Sequence, residues 1–264
     1  AFRLPATTDG TGFFGAVDLA PDRYRVRIER GGRELFRTTP REVRAGGATA
    51  FEIFLKAADF AGVLPRVTGV ERKSAAAPGD IVTLNGSALA AEESWATAVP
   101  LPFELGRTQV VVNGAAAPLI AALPDRIEVQ LPYGSAAAWN IVVKHAGLES
   151  AAFTLPAVAA SPEIVGVAHL AAGYVEIYAT GLGAIDPPQA AGLGGNPAEP
   201  YHRARETVRV RIGDAAVEPL YAGLAPYQPG RYQVNIRLPD GVTRGELRLD
   251  VAGALSSAFA FTRP

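Results

Sequence analysis

The sequence predicts an all-β fold: tandem two-layer β-sandwiches preceded by a small β module that is short of a full sandwich. Three observations predict it. Apolar and polar residues alternate with period two along many short runs. One composite pattern of such runs occurs twice. Glycine (28 residues) and proline (21) are plentiful between the runs, as many tight turns require.

Residues 1–63 form the first block. Its runs predict strands over Phe13–Leu19, Tyr24–Glu29, Glu34–Thr38 and Thr49–Leu55, with a Gly-Gly hairpin between the second and third. Four or five strands fall short of the roughly seven in a self-contained sandwich. The block is therefore expected to be completed by a neighbouring domain or another chain. Phe2 and Leu4 alternate like a strand that could be donated to another subunit, with Phe13 and Phe14 lining the groove that receives it. The plain alternative is an ordinary chain end.

Joints at 62–70 and 156–166 divide the rest of the chain into 64–157 and 158–264. These blocks are copies. QVVVNGAAAPLIAALPDRIEVQLP (109–132) parallels VRVRIGDAAVEPLYAGLAPYQPGRYQVNIRLP (208–239), and AGLESAAFTL (146–155) parallels AGALSSAFAF (252–261). Within them Ile127, Val129 and Leu131 alternate with polar residues. So do Val208, Val210 and Ile212, then Tyr232, Val234, Ile236 and Leu238, then Leu247, Leu249 and Val251. Each strand has one oily face, as two facing antiparallel sheets demand. Helical signal is confined to single turns over 56–62 and 87–97.

Composition excludes several functions. The chain is 48% hydrophobic and 19% charged with net charge −1, which argues against nucleic acid or an anionic membrane as partner. No apolar run reaches the ~18 residues of a membrane span. The start, AFRLPATTDG, has no apolar leader core, so the chain is cytosolic or has lost its leader. Cysteine is absent, which rules out disulfides, thiolate catalysis and cysteine-bound metal.

The chemistry-bearing residues are sparse. His145, His169 and His202 form no ligand pair. Asp9, Asp18 and Asp22, or Glu92 and Glu93, are the acidic groups that could hold a structural calcium ion, but they lack an EF-hand spacing. Gly-rich TGLGA and GLGGN are followed by Asp186-Pro187-Pro188, which blocks the helix a phosphate loop needs. Ser135, Ser150, Ser256 and Ser257 sit in turns without a nucleophile elbow. Lys144 near Asn140 suggests an intramolecular crosslink if a buried acid joins them. The long segment 182–206 carries Tyr201, His202, Arg203 and Arg205, a candidate ligand or partner surface. Trp95 is the best candidate for an exposed sugar-stacking ring, whereas Trp139, Tyr221, Tyr227 and Tyr232 read as core.

From about residue 65 onward the chain resembles the Solibacter-type C-terminal domain family of secreted acidobacterial proteins. PLPFELGRTQVVVNGAAAPL (100–119), YVEIYATGLGAIDPP (174–188), VRVRIGDAAVEPLYAGLAP (208–226) and GRYQVNIRLPDG (230–241) carry the resemblance. GDIVTLNGSALA with the following VVVNG also resembles the immunoglobulin-like modules of plexins and transcription factors. Residues 8–30 resemble, in part, the carboxypeptidase regulatory-like sandwich, with Asp22 where that family prefers glycine. The resemblance implies an immunoglobulin-like, secreted or surface-attached protein with no catalytic residues to transfer. It leaves two functions as expectations. The first is a non-catalytic structural subunit of an extracellular filament, partnering itself. The second is an accessory module binding glycan or protein. No cofactor is expected.

Overall fold

The structure, a computed structural model, describes residues 4–8, 13–30, 33–55, 64–170 and 173–263. Its secondary structure is all β: the described residues contain no α-helix. The chain forms two compact units, Ala1–Val63 and Leu64–Pro264.

The first unit holds β1 (Asp22–Tyr24), β2 (Arg27–Arg30), β3 (Arg33–Arg37) and β4 (Arg41–Val43). They pair as two separate ribbons, β1 with β4 and β2 with β3. None of the unit's described side chains is buried. The predicted strands over 13–19 and 49–55 are not formed. In the second of these, Thr49 donates its hydroxyl to the Glu42 carbonyl, and the Arg41 guanidinium donates to the Ala50 carbonyl. Side chains rather than a backbone ladder hold that segment against β4. Two-stranded ribbons without a buried face are marginal by themselves.

The second unit contains two sandwiches built on one plan. In the first, β5 (Arg66–Val70), β6 (Ile81–Ser87), β11 (Arg126–Gln130), β10 (Leu119–Ala122) and β7 (Ser94–Trp95) form one sheet in that order. The facing sheet runs β13 (Leu148–Glu149), β12 (Ala138–His145), β8 (Thr108–Val112), β9 (Ala115–Ala117), with β14 (Phe153–Pro156) also on β12. In the second sandwich the order is β15 (Glu163–His169), β16 (Tyr174–Thr180), β22 (Tyr232–Arg237), β21 (Tyr221–Leu224), β18 (Arg203–Ala204), β17 (Ile185–Asp186). Its partner sheet runs β20 (Ala215–Val217), β19 (Val208–Ile212), β23 (Arg244–Val251), β24 (Ala254–Leu255), with β25 (Phe259–Thr262) on β23. Strand for strand the copies agree, except that the second adds β17 outside β18.

Local chemistry explains the plan. The alternating apolar residues of the two copies, from Ile127 to Val251, are all buried between the sheets. The turns Asn113-Gly114, Ala146-Gly147 and Ala252-Gly253 have positive φ at both residues, the tight hairpin geometry that matches strand twist. Ser150 and Ser256 occupy equivalent places. Each hydroxyl accepts from a strand amide (Val143, Leu249) and donates to the next carbonyl (Ala151, Ser257). The single helical turn expected over 87–97 is replaced by the end of β6, bends and β7. The turn expected at 56–62 lies outside the described residues.

A polar seam joins the sandwiches. Lys73 Nζ lies 2.7 Å from Asp80 Oδ2, which also accepts from the Ala77 amide and from Ser161 of the second sandwich at 2.6 Å. Gln130 accepts from the Gly192 amide at 2.7 Å and donates to Tyr133 Oη. Tyr133 Oη in turn accepts from the Gly230 amide. Tyr232 Oη donates to the Gly183 carbonyl of its own sandwich and lies 3.5 Å from the Pro78 carbonyl across the seam. The Tyr133 ring belongs to the second sandwich's core, although it comes from the first.

Burial raises the phenol pKa of both Tyr133 and Tyr232. Below the unfolded value of about 10 both are neutral in either state, and their contribution is intact. As pH rises towards the folded values the unfolded chain ionises first, so stability falls. The melting temperature is therefore expected to drop between about pH 9 and about pH 11. Tyr232→Phe should melt lower at neutral pH yet show a shallower alkaline decline. An unchanged alkaline slope would count against this.

Candidate functional site

The residues singled out for ligand contact fall on equivalent elements of the two copies. Trp95 lies in β7, the edge strand that pairs with β10 through Trp95↔Ala121. Arg203 lies in β18, which pairs with β21 through Arg203↔Gly223. β10 and β21 are the matching strands of the repeat, so β7 and β18 are equivalent; Gly223 matches Ala122, so Arg203 stands where the first copy has Ser94, one residue from Trp95.

At the first position Trp95 is 49% exposed, and Phe103, in the segment between β7 and β8, is exposed equally. Val99, between them in sequence, is also exposed, whereas Leu101 is buried. The three exposed side chains are apolar and uncharged.

At the second position the rings of Tyr201 and Tyr221 meet edge-to-face, with centroids 5.7 Å apart. The Arg203 guanidinium sits over both, 5.2 Å from Tyr221 and 5.8 Å from Tyr201. Glu199 pairs with it at 3.5 Å. Burial raises the Tyr221 phenol, against the pull of Arg203, so the hydroxyl stays protonated and donates to the Leu224 carbonyl. Gly223 makes room for this cluster: a Cβ there would stand 2.5 Å from Tyr221 Oη and 2.9 Å from Arg203 Cα. The result is a half-exposed aromatic patch with guanidinium donors and a carboxylate acceptor.

Other nominated residues behave differently. His202, expected to face a ligand, is buried at 5% exposure. Its Nδ1 is 2.8 Å from the Pro187 carbonyl and its Nε2 3.1 Å from the Gln189 amide. Both nitrogens are spent on shaping segment 182–206. Arg205 is exposed, and its backbone amide donates to Ala184. Tyr221, expected in the core, is half-buried, and Tyr227 is exposed. Trp139 and Tyr232 are in the core as expected. Lys144 pairs with Glu149 at 2.7 Å, and Asn140 accepts from Thr154, so the proposed crosslink has no geometry. Leu4 and Phe13 are exposed and Phe14 half-exposed, but 4–8 and 13–17 form no strand. Phe2 and Asp9 lie outside the described residues.

Among the described residues no three carboxylate or imidazole groups converge on a metal site. At the seam the buried carboxylate Asp80 is already countered by the Lys73 ammonium. A cavity of about 690 Å³ is lined by Asn113, Gly114, Ser135, Ala136, Ala137, Ala138 and Asn140, none of which can act as acid or base near neutral pH. A second, of about 460 Å³, lies beside β1 and β4 and is flanked by the paired Arg44 and Glu42.

No protein-family model matches the chain, and no curated protein does. Several solved structures match it weakly. The SGBP-B of a Bacteroides ovatus mixed-linkage glucan utilization locus, in complex with a mixed-linkage heptasaccharide, is 13% identical with a TM-score of 0.32; the match covers 99% of this chain and 57% of that one. The SGBP-B of a Bacteroides uniformis xyloglucan utilization locus is 15% identical with a TM-score of 0.28, over 76% of this chain and 49% of that one. The Gamma-CGTASE of alkalophilic Bacillus clarkii is 14% identical with a TM-score of 0.29, over 80% of this chain and 27% of that one. The chain thus spans about half or less of the length of most of these structures. Likenesses this slight say nothing about what this chain binds.

Proposed function

We propose that the chain is a non-catalytic carbohydrate-binding module of a larger secreted protein, of the Solibacter-type C-terminal domain kind that its sequence resembles. The observation that supports this reading is the half-exposed Trp95 on a sheet edge, together with the separate Tyr201–Arg203–Tyr221 patch of the second copy. Flat rings with nearby donors and acceptors suit a pyranose, which offers a C–H face and a rim of hydroxyls. Nothing among the described residues supports the filament reading.

Affinity electrophoresis against a panel of soluble polysaccharides tests the proposal. Retention by at least one is expected, weakened about tenfold, or ~1.4 kcal/mol, by Trp95→Ala. The protein should sediment as a monodisperse monomer. Concentration-dependent polymers without polysaccharide retention would reinstate assembly as the function.

A further inference from the structure

We propose that the outer face of the second sandwich's six-stranded sheet is a glycan-binding platform, which holds an oligosaccharide segment laid across its strands. The proposal rests on the carbohydrate-binding reading and adds a site centred on β16 and β22, well beyond the Tyr201–Arg203–Tyr221 patch.

Strand register sets the groups side by side. Glu176 is paired with Asn235, and Asn235 with Tyr221. Two residues along, Tyr178 is paired with Gln233, Gln233 with Gly223, and Gly223 with Arg203. Directly paired residues share a face. Here it is the outer one, because the alternate residues Ile177, Val234 and Leu224 are buried in the core. With strands about 4.8 Å apart, the Tyr178 and Arg203 backbones stand ~14 Å apart across the sheet. That is the length of a short oligosaccharide rather than of a single sugar ring.

The side chains are already set in place. Gln233 donates its amide to Glu176 at 3.0 Å and to Asn235 Oδ1 at 2.9 Å. Tyr178 donates its hydroxyl to the other Glu176 oxygen at 2.9 Å. These bonds fix both amides and leave Gln233 Oε1 as an acceptor and Asn235 Nδ2 as a donor, on half-buried side chains, without a partner among the described residues. On the next strand Tyr221 lies down along the sheet, its hydroxyl only 2.5 Å from where a Cβ of Gly223 would be. Glycine at that position is what lets the ring lie flat. The Arg203 guanidinium, 5.2 Å from this ring, carries the platform on to Tyr201. Groups held this firmly need little further ordering when a ligand arrives.

Neither the fold nor ordinary solvation calls for such a surface. The equivalent places in the first copy keep the same register with Thr83 opposite Glu128 and Asn85 opposite Arg126, and no tyrosine. The opposite sheet of the second sandwich shows a plain wet face. There Arg211 pairs with Asp250 and Arg248 with Glu246, and β19 and β23 contain no tyrosine. Tyrosine rings beside unpaired amide donors and acceptors match the C–H face and hydroxyl rim of a sugar, whereas rows of ion pairs match water.

Affinity electrophoresis in hydroxyethylcellulose, arabinoxylan, galactomannan and polygalacturonate tests this. Trp95→Ala is expected to keep part of the wild-type retention, and adding Gln233→Ala should weaken what is left about tenfold. Tyr178→Ala, on the neighbouring strand, should have the same effect and repeats the measurement should the glutamine variant unfold. Arg209→Ala, on the opposite sheet, should leave retention unchanged. The platform is overturned, with carbohydrate binding left in place, by complete loss of retention in Trp95→Ala alone. Undiminished retention on adding Gln233→Ala and Tyr178→Ala, or an equal loss from Arg209→Ala, overturns it in the same way. Failure of the wild-type chain to be retained by any polysaccharide removes the underlying reading as well.

Discussion

Lys73→Met should lower the unfolding free energy of the second unit by about 3 kcal/mol, the low end of the 3–5 kcal/mol typical of breaking a buried ion pair. Asp80 is fully buried, whereas the Lys73 side chain keeps 16% exposure, which is why the lower figure applies. Removing the ammonium leaves a carboxylate with two remaining donors to Oδ2, Ala77 N and Ser161 Oγ, and none to Oδ1. Replacing both partners, Lys73→Met with Asp80→Leu, should recover most of the loss, because no charge is then stranded. Urea denaturation of the single and double variants measures this. A Lys73→Met loss under about 1 kcal/mol would show that water reaches Asp80. The same experiment reads the seam. Both tryptophans, Trp95 and Trp139, belong to the first sandwich. If the seam couples the copies, tryptophan fluorescence and far-UV circular dichroism should give one coincident transition.

The repeat could be read from sequence because it is written in local signals. Period-two alternation placed Tyr232, Val234 and Ile236 inward, and Ala-Gly pairs placed the hairpins. The seam had no such signal. Its bonds join residues 62, 81 and 97 positions apart, and a glutamine, a serine or a glycine in a turn looks the same whether or not it faces another module. Segment 182–206 was singled out for its length, and its length serves the seam: Gly192 bonds to Leu101 and Gln130, while His202 braces the turn through Pro187. Tyr221 is the first residue of β21 and is half-buried rather than in the core. The equivalent residue in the shared Pro-Leu-x-Ala string of the first copy, Ile120, is likewise half-buried. In the first unit the apolar runs over 13–19 and 49–55 form no strand. Alternation predicts a strand only if a sheet exists to receive it.

Gly79→Ala is expected to destabilise the second unit by about 2–5 kcal/mol, from two independent costs. Gly79 has φ of +77°, which an L-residue adopts at a cost of roughly 1–2 kcal/mol. A Cβ there would also stand 2.3 and 2.4 Å from Tyr133 ring carbons. Overpacking of this kind typically costs about 1–3 kcal/mol. The ring has little freedom to retreat, because its hydroxyl is held by Gln130 on one side and the Gly230 amide on the other. The two costs can be separated. In a Tyr133→Ala background the ring clash disappears, leaving the backbone cost and a tight 3.0 Å contact with Tyr232 Oη. Gly79→Ala should then cost about 1–2 kcal/mol, and the double-mutant cycle should show a coupling of roughly 1–3 kcal/mol. Strict additivity would mean that the ring moves aside in Gly79→Ala, and so that Tyr133 does not pin the two sandwiches together.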